Sequence, residues 1–272
     1  MSIAQFWLED GFNSECLKLT TKAERLKTGR ILYEYQTPKH HYWVKTQLAN
    51  KNVVFERGFQ QEVFAYAHIA KKIPSIFLDY AVVHLNFENM HGMFGQESLV
   101  LPHVELFFND NPFFLSTDQI IHKMIQALCA LEALHSDEWI HGDLKAEHFC
   151  IDRGKVKLLD FEQSLNLHEN IAITMTATPR YMAPELFHGD SKSKASDIYA
   201  LGIILLEWLM QQRLKSKSYH DWAVLHCQKL EIQLPAQFLC FKSLLESMLE
   251  KDKSCRKIDF STLKKLLMLE IV

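Results

Sequence analysis

The sequence predicts an α+β fold in two parts, a small N-terminal part built mainly of strands and a larger C-terminal part that is mainly helical. Residues 17–44 contain short apolar stretches separated by charged turns, which is typical of a small antiparallel sheet. From Ser116 onward, apolar residues recur at helical period over most of the remaining sequence. We therefore expect one bilobal domain over residues 1–272, with the strand-rich lobe at about 1–104 and the helical lobe at 105–272.

Local patterns predict the individual elements. Helical spacing over residues 54–73, closed by Pro74, predicts the single helix of the strand-rich lobe. Strands are expected after it, at 76–78, 81–85 and 99–101. Ser116 begins a cap signal for a long helix, and residues 149–159 predict a hairpin around an Asp-Arg-Gly turn. Three more helices are expected in the C-terminal lobe, at about 194–212, 239–250 and 260–270.

The composition is that of a folded cytoplasmic protein. A hydrophobic fraction of 48% allows a sizeable core, and 23% charged residues argue against wholesale disorder. The net charge of −3 gives no electrostatic reason to expect a nucleic-acid partner. The six cysteines are scattered without metal-ligand spacing, which favours a reducing compartment. The longest apolar run, 199–210, is too short to span a bilayer, so no membrane span is expected; the oligomeric state is not predicted.

The most informative motif is a pair of aspartates. Residues 141–145 read His-Gly-Asp-Leu-Lys, and Asp160-Phe161 follows after the predicted hairpin. Phosphoryl transfer needs such a pair, because one carboxylate accepts the proton of the attacking hydroxyl and another holds the metal on the nucleotide phosphates. The segment resembles the catalytic loop and metal-binding motif of the protein kinase superfamily. The resemblance implies that Asp143 and Lys145 are catalytic and that Asp160 is a metal ligand. In the family, lysine at this position marks Ser/Thr specificity.

A second pair of motifs follows. Residues 177–185, Ala-Thr-Pro-Arg-Tyr-Met-Ala-Pro-Glu, resemble the end of a protein-kinase activation segment, and residues 196–202 resemble the start of the family's central hydrophobic helix. A buried carboxylate needs a partner. The resemblance therefore implies structural roles in and around these motifs. Thr178 would bond to Asp143 and Lys145, and Glu185 would be buried against Arg256. Asp197 would brace the backbone around His141, and Phe161 and Glu162 would belong to the structural motif that begins with the metal ligand. Three motifs in this order identify the fold.

The N-terminal half carries weaker signals for a nucleotide site. Lys45 ends the stretch Tyr-Trp-Val-Lys, which resembles the strand whose lysine binds nucleotide phosphates, and Glu62 resembles its ion-pair partner on the following helix. Residues 99–104 resemble the hinge that binds adenine. The resemblance implies that Leu101 guards the back pocket and that two backbone groups meet the adenine, the carbonyl of Pro102 and the N–H of Val104.

Several residues depart from the family pattern. Gly29 alone remains of the glycine-rich loop that binds the ATP phosphates in the family, and the resemblance implies that it binds ATP here. Trp43 replaces the small residue that covers the adenine. Gly142 replaces the arginine that helps to hold an activation-segment phosphate in the family. His148 replaces the metal-binding asparagine, and Glu162 replaces the glycine after Asp160-Phe161. His148 keeps a ligand nitrogen, so we expect it to join Asp160 in holding Mg²⁺ or Mn²⁺.

We interpret the chain as a bacterial or phage-type Ser/Thr protein kinase of the eukaryotic-like class, with ATP and a divalent metal as cofactors and a protein as substrate. The residues Gly142, His148 and Glu162 also resemble lipopolysaccharide-core sugar kinases and other small-molecule kinases. A small-molecule acceptor is therefore one alternative. The lost glycines and Trp43 leave open a second alternative, a pseudokinase that acts as a binding scaffold.

Overall fold

The computed structural model describes residues 13–84, 97–168, 177–256 and 259–269, together with Ile3. The chain divides into two compact units. The first comprises Met1–Glu105 and Asp160–Glu162, and the second comprises Leu106–Leu159 and Gln163–Val272. The first is rich in strands and the second is mainly helical, which confirms the predicted fold class. The short segment around Asp160 joins the first unit, although the sequence placed it in the C-terminal lobe.

The first unit combines an antiparallel sheet with one principal helix. Its elements, in chain order, are β1 (Leu17–Leu19), α1 (Ala23–Leu26), β2 (Arg30–Gln36), β3 (His41–Gln47), α2 (Val53–Phe64), α3 (Ala70–Lys72), β4 (Ala81–Val83) and β5 (Ser98–Pro102). A π-helical turn, Ala65–Ile69, joins α2 to α3, so the helix expected over 54–73 is continuous and ends before Pro74. The one-turn helix α1 was not predicted.

One expected strand, at 76–78, is not formed, although the structure describes these residues. Residues 76–78 are buried, but Ile76 ends a 3₁₀ turn, Pro74–Ile76, and none of the three pairs with a described strand. Burial alone satisfies their apolar side chains. Residue 85, the end of another expected strand, lies outside the described residues.

The register of the sheet decides which side chains share a face. The strand order is β1-β2-β3-β5-β4, and all described pairings are antiparallel. Lys45 of β3 lies opposite Leu32 and Leu99, while Trp43 lies opposite Glu34 and Leu101. Because side chains alternate along a strand, Lys45 and Trp43 are on one face. The other face forms the core of the unit, with Ile3, Ile31, Tyr33, Tyr35, Val44, Ala81 and Val100.

The second unit is built around two long helices. Its elements, starting at the division between the units, are β6 (Glu105–Leu106), α4 (Thr117–Ser136), β7 (Trp139–Ile140), β8 (Phe149–Asp152), β9 (Lys155–Leu158), β10 (Leu165–Asn166), α5 (Pro184–Phe187), α6 (Lys194–Met210), α7 (Tyr219–Val224), α8 (Lys242–Met248) and α9 (Phe260–Leu269). The expected hairpin is formed by β8 and β9, and the three late helices lie where the sequence predicted them.

Capping residues begin both long helices. Ser116 and Gln119 form a reciprocal capping box at α4, and Ser193 and Ser196 form another at α6. Helix α6 is buried from Ala195 to Leu209, as expected of a helix that is apolar on all sides. Within the described ranges, no helix is both long and apolar enough to cross a membrane.

Candidate active site

A buried carboxylate holds the backbone around Asp143. Asp197 lies in the first turn of α6 and is 2% exposed. It accepts hydrogen bonds from the backbone N–H groups of His141 (2.7 Å) and Gly142 (2.9 Å), and its Oδ2 lies 3.0 Å from Nε2 of His135. Burial alone would raise the pKa of Asp197, but the bonds from His135 and His141 hold this pKa below its ordinary value. The charged carboxylate therefore fixes the loop that carries Asp143.

Asp143 lies between two donors. Its Oδ2 is 2.8 Å from Nζ of Lys145, and its Oδ1 accepts a 2.8 Å hydrogen bond from the backbone N–H of Thr178. Thr178 thus reaches Asp143 through its main chain. The side chains of Asp143 and Lys145 are 15% and 22% exposed. Both groups are therefore held in place while remaining accessible to a substrate.

The rings of two histidines near Asp143, His141 and His148, stack on each other. Nε2 of His141 lies 2.9 Å from the carbonyl oxygen of Leu159, and its ring stacks on that of His148 at 5.3 Å. His148 ends a 3₁₀ turn, Ala146–His148, in which its backbone N–H donates to the carbonyl of Lys145. Both rings are buried. A metal-binding role for His148 stays a prediction.

In the first unit, Lys45 lies among three carboxylates. Its Nζ is 2.6 Å from Glu62, 3.1 Å from Asp160 and 2.6 Å from Glu162. Burial alone would lower the pKa of Lys45, but Asp160, Glu62 and Glu162 raise it above its ordinary value. Burial raises the pKa of Glu62 to about 7, against the opposing attraction of Lys45. The lysine is therefore fully charged at neutral pH.

Glu162 joins Lys45 to a second cation. Its Oε1 pairs with Nζ of Lys45, and its Oε2 accepts a hydrogen bond from Nη2 of Arg30 at the start of β2. The guanidinium of Arg30 also lies over the ring of Phe55, 5.0 Å from the centroid. Glu162 therefore links β2 to the segment that carries Asp160. A glycine at this position would have no side chain with which to make the link.

Asp160 is held in an uncommon backbone conformation. Its φ is +63°, in the left-handed region that aspartate visits more readily than most residues. The next residue, Phe161, is fully buried and anchors the turn. Its ring stacks on Phe77 at 4.3 Å and meets Tyr66 edge-on at 5.9 Å. Aromatic packing thus fixes the direction of the Asp160 side chain.

Two of the predicted hinge residues end β5, and the third lies just beyond it. Leu101 is buried opposite Trp43, Pro102 pairs with Tyr42, and Val104 is half-buried beyond the strand. Nε1 of Trp43 donates a 3.0 Å hydrogen bond to Nδ1 of His103. The indole therefore lies against the hinge, on the face of the sheet that also carries Lys45.

Gly29 has a different neighbourhood from the one expected of a phosphate-binding loop. It follows α1 with a φ of +82°, and a Cβ at this position would lie 2.7 Å from Nε2 of Gln47 and from Cβ of Lys51. The carbonyl of Gly29 accepts from the N–H of Leu48. The structure thus places Gly29 in a tight turn beside the end of β3. Its role in ATP binding stays a prediction.

A buried ion pair connects Glu185, which follows the Thr178 segment, to Arg256, which lies before helix α9. Arg256 reaches Glu185 with two hydrogen bonds, Nη1 to Oε1 at 2.7 Å and Nη2 to Oε2 at 2.9 Å. Nη1 also donates to the carbonyl of Ala195, and Nε donates to that of Glu250. The guanidinium therefore has partners on several sides in the interior of the second unit.

The chain belongs to the protein kinase domain family, whose model matches residues 35–266. The predicted family is thereby confirmed. The chain is similar to the putative serine/threonine-protein kinase PRKY of Homo sapiens, with 31% identity over 66% of this chain and 64% of the relative. It is also similar to the probable serine/threonine-protein kinase PknB of Lactococcus lactis, with 29% identity over 62% of this chain and 26% of the relative. The chain thus spans less than two thirds of either relative.

Sequence reasoning assigned no role to three residues that the structure brings to these sites: Arg30, His103 and His135. Arg30 and His103 contact Glu162 and Trp43, two residues at which the chain departs from the family pattern. An unusual residue in a known motif is therefore a signal to look for an equally unusual partner.

Proposed function

We propose that this chain transfers the γ-phosphoryl group of ATP to a serine or threonine hydroxyl of a protein substrate. The observation that carries this proposal is the arrangement of Asp143, with Lys145 at 2.8 Å, Thr178 at 2.8 Å and the backbone fixed by Asp197. An accessible carboxylate beside a fixed cation is what the transfer to a hydroxyl requires.

Each group has a definite task in this proposal. Asp143 orients the substrate hydroxyl and accepts its proton as the oxygen attacks phosphorus. Lys145 neutralises the charge that develops on the transferring group. In the first unit, Lys45 offers a permanent positive charge to the nucleotide phosphates, and Glu62 holds its ammonium in position. The protein contributes chiefly position and charge, since phosphoryl transfer itself needs little covalent chemistry from the enzyme.

Protein kinase domains use ATP with a divalent metal, and the side chains present here fit one. Glu62, Asp160 and Glu162 bring carboxylate oxygens within 4.8 Å of one another, and oxygen donors suit Mg²⁺ and Mn²⁺. Asp160 lies farther from Nζ of Lys45, at 3.1 Å, than Glu62 and Glu162 do, at 2.6 Å each, and it is the ligand we propose, with His148 as a second. The ion would supply charge neutralisation at the phosphates.

The direct test is to incubate the purified chain with ATP labelled at the γ-phosphate and with generic protein acceptors, lipopolysaccharide-core sugars or choline. We expect label on protein serine or threonine. Label on a sugar or on choline alone would replace this proposal with the small-molecule alternative. Nucleotide binding without transfer to any acceptor would support the pseudokinase alternative.

Trp43→Ala is expected to tighten nucleotide binding roughly fivefold. The indole lies beside Lys45 and bonds to His103, so a base at the hinge must displace it and break one hydrogen bond. A neutral hydrogen bond contributes about 1 kcal/mol, which is roughly fivefold in Kd. Calorimetric titration with ATP measures the change. Tyr42→Phe, on the other face of β3, is the control and should leave Kd unchanged. Weaker binding by Trp43→Ala would show instead that the base stacks on the indole.

The metal preference is expected to depend on His148. An imidazole nitrogen suits Mn²⁺ better than Mg²⁺, which favours oxygen ligands in strict octahedral geometry. We expect an unusually high ratio of Mn²⁺ to Mg²⁺ activity in the wild type, and His148→Asn should shift the ratio toward Mg²⁺. The ratio of the two initial rates is the measurement. A ratio that the substitution leaves unchanged would remove His148 from the metal site.

Activity is expected to be independent of phosphorylation within residues 160–185. Gly142 has no side chain with which to hold a phosphate there. Phosphatase treatment followed by a rate measurement is the test. A large, reversible loss traced to Thr174, Thr176 or Thr178 would contradict the expectation; Thr174 and Thr176 lie outside the described residues.

We also propose that the chain works in the cytoplasm. The six cysteines, which all lie within the described ranges, form no disulfide, as is usual for proteins in a reducing compartment.

A further inference from the structure

One buried lysine has no place in the motifs described above. Lys192 lies between α5 and α6 and is 4% exposed. Its Nζ donates a 3.1 Å hydrogen bond to Oε1 of Gln163, the first residue of the second unit after the Asp160 segment. Buried lysines are rare, because an ammonium loses its hydration on burial. The charge of Lys192 therefore needs nearby groups that compensate for the lost hydration.

The aliphatic part of Lys192 lies in the space beside Gly142. A Cβ at position 142 would lie 3.1 Å from Cδ of Lys192 and 2.4 Å from the backbone oxygen of Gln163. The φ of Gly142 is +77°, which side-chain-bearing residues rarely adopt. The arginine that the family carries at this position has no room here. Gly142 and Lys192 therefore form a matched pair.

The charge of Lys192 acts on the catalytic loop. Burial lowers the pKa of Lys192 to about 8, while the carboxylates of Asp143 and Asp197 oppose this fall and the charge of Lys145 adds to it. These are the charged groups of the catalytic loop and of α6 that face the ammonium. Its attraction to Asp143 and Asp197, together with its bond to Gln163, connects three segments of the second unit.

We propose that Lys192 is a positioning residue that replaces the missing catalytic-loop arginine. Its ammonium holds the catalytic loop to the segment beginning at Gln163, and no phosphorylated residue is needed for this contact. The expected effect of Lys192 on kcat rests on the proposed phosphoryl transfer. The link between the segments is a structural property and can be measured without activity.

Lys192→Met tests the proposal, because methionine fills a similar space without the charge. We expect kcat to fall at least tenfold with KM for ATP within twofold, and amide hydrogen exchange to rise at residues 141–145 and 163–168. Lys194→Met is the matched control, since Lys194 is a neighbouring lysine that pairs with Glu138 at the surface. It should change neither quantity. Unchanged kcat and unchanged exchange in Lys192→Met would overturn the proposal.

The pH profile separates a charge effect from simple filling of space. In the wild type, kcat should fall toward the level of Lys192→Met as the pH rises through about 8, because the lysine loses its proton. Lys192→Arg keeps its charge in this range and should lack that fall. An identical high-pH limb in all three proteins would contradict the proposal. If the wild type transfers phosphate to no acceptor, the proposed function fails, and the exchange measurement alone decides whether Lys192 links the segments.

Discussion

Asp143→Ala is expected to reduce the rate of phosphoryl transfer about 10²–10⁴-fold, the usual contribution of a general base. The carboxylate is the acceptor for the hydroxyl proton in the proposed reaction, and the residues that hold Lys45 are not touched by the change. Nucleotide affinity should therefore stay within about twofold of the wild type. Steady-state rates and calorimetric Kd values, measured on the same preparation, check both expectations.

A second substitution distinguishes the two tasks of Asp143. Asp143→Asn keeps an oxygen that can accept the N–H of Thr178, but an amide is a very poor proton acceptor. If Asp143 acts as the base, the Asn and Ala variants should be similarly slow. If the Asn variant kept most of the wild-type rate, Asp143 would serve only to hold Thr178. Asp152→Ala, at the end of β8 beside the hairpin turn, is the control and should leave the rate unchanged.

The resemblance to the family predicted some contacts, and the chemistry of the residues agrees with them. A charged residue inside an apolar run must be neutralised or bonded, so Asp197 and Glu185 both required donors nearby. The backbone N–H groups of His141 and Gly142 provide donors for Asp197, and Arg256 provides them for Glu185. Periodicity likewise predicted the long helices, since a buried apolar face repeats at the helical period whatever it packs against.

Other contacts lie beyond such reasoning because they join residues that no local pattern relates. Arg30 and Glu162 are 132 positions apart, and each alone is typical of a solvent-exposed charge. The helix α1 is a single turn, too short for its periodicity to be recognised. Lys192 precedes a helix in a polar stretch, and only the space left by Gly142 shows why it is buried. These features depend on which surfaces the fold brings together.

The largest expected change in stability comes from Arg256→Ala. Arg256 is 3% exposed and Glu185 is 6% exposed, and the two share a bidentate pair. Removing the guanidinium leaves the carboxylate of Glu185 buried without its cation, which typically costs about 3–5 kcal/mol. We expect a loss of that size in the free energy of unfolding. Urea denaturation followed by tryptophan fluorescence is the measurement. Arg153→Ala is the control, because Arg153 is largely exposed and its pair with Asp152 is long, at 4.0 Å.

A double substitution tests whether the loss arises from the uncompensated charge. In Glu185→Leu/Arg256→Met both charges are absent, so no buried carboxylate is left without a partner. Replacement of a buried ion pair by apolar residues of similar volume is often neutral or stabilising. The double variant should therefore be more stable than Arg256→Ala, although the carbonyls of Ala195 and Glu250 lose their donor. If the double variant were the less stable of the two, the guanidinium would act mainly through those carbonyls, and the ion pair would contribute little to folding.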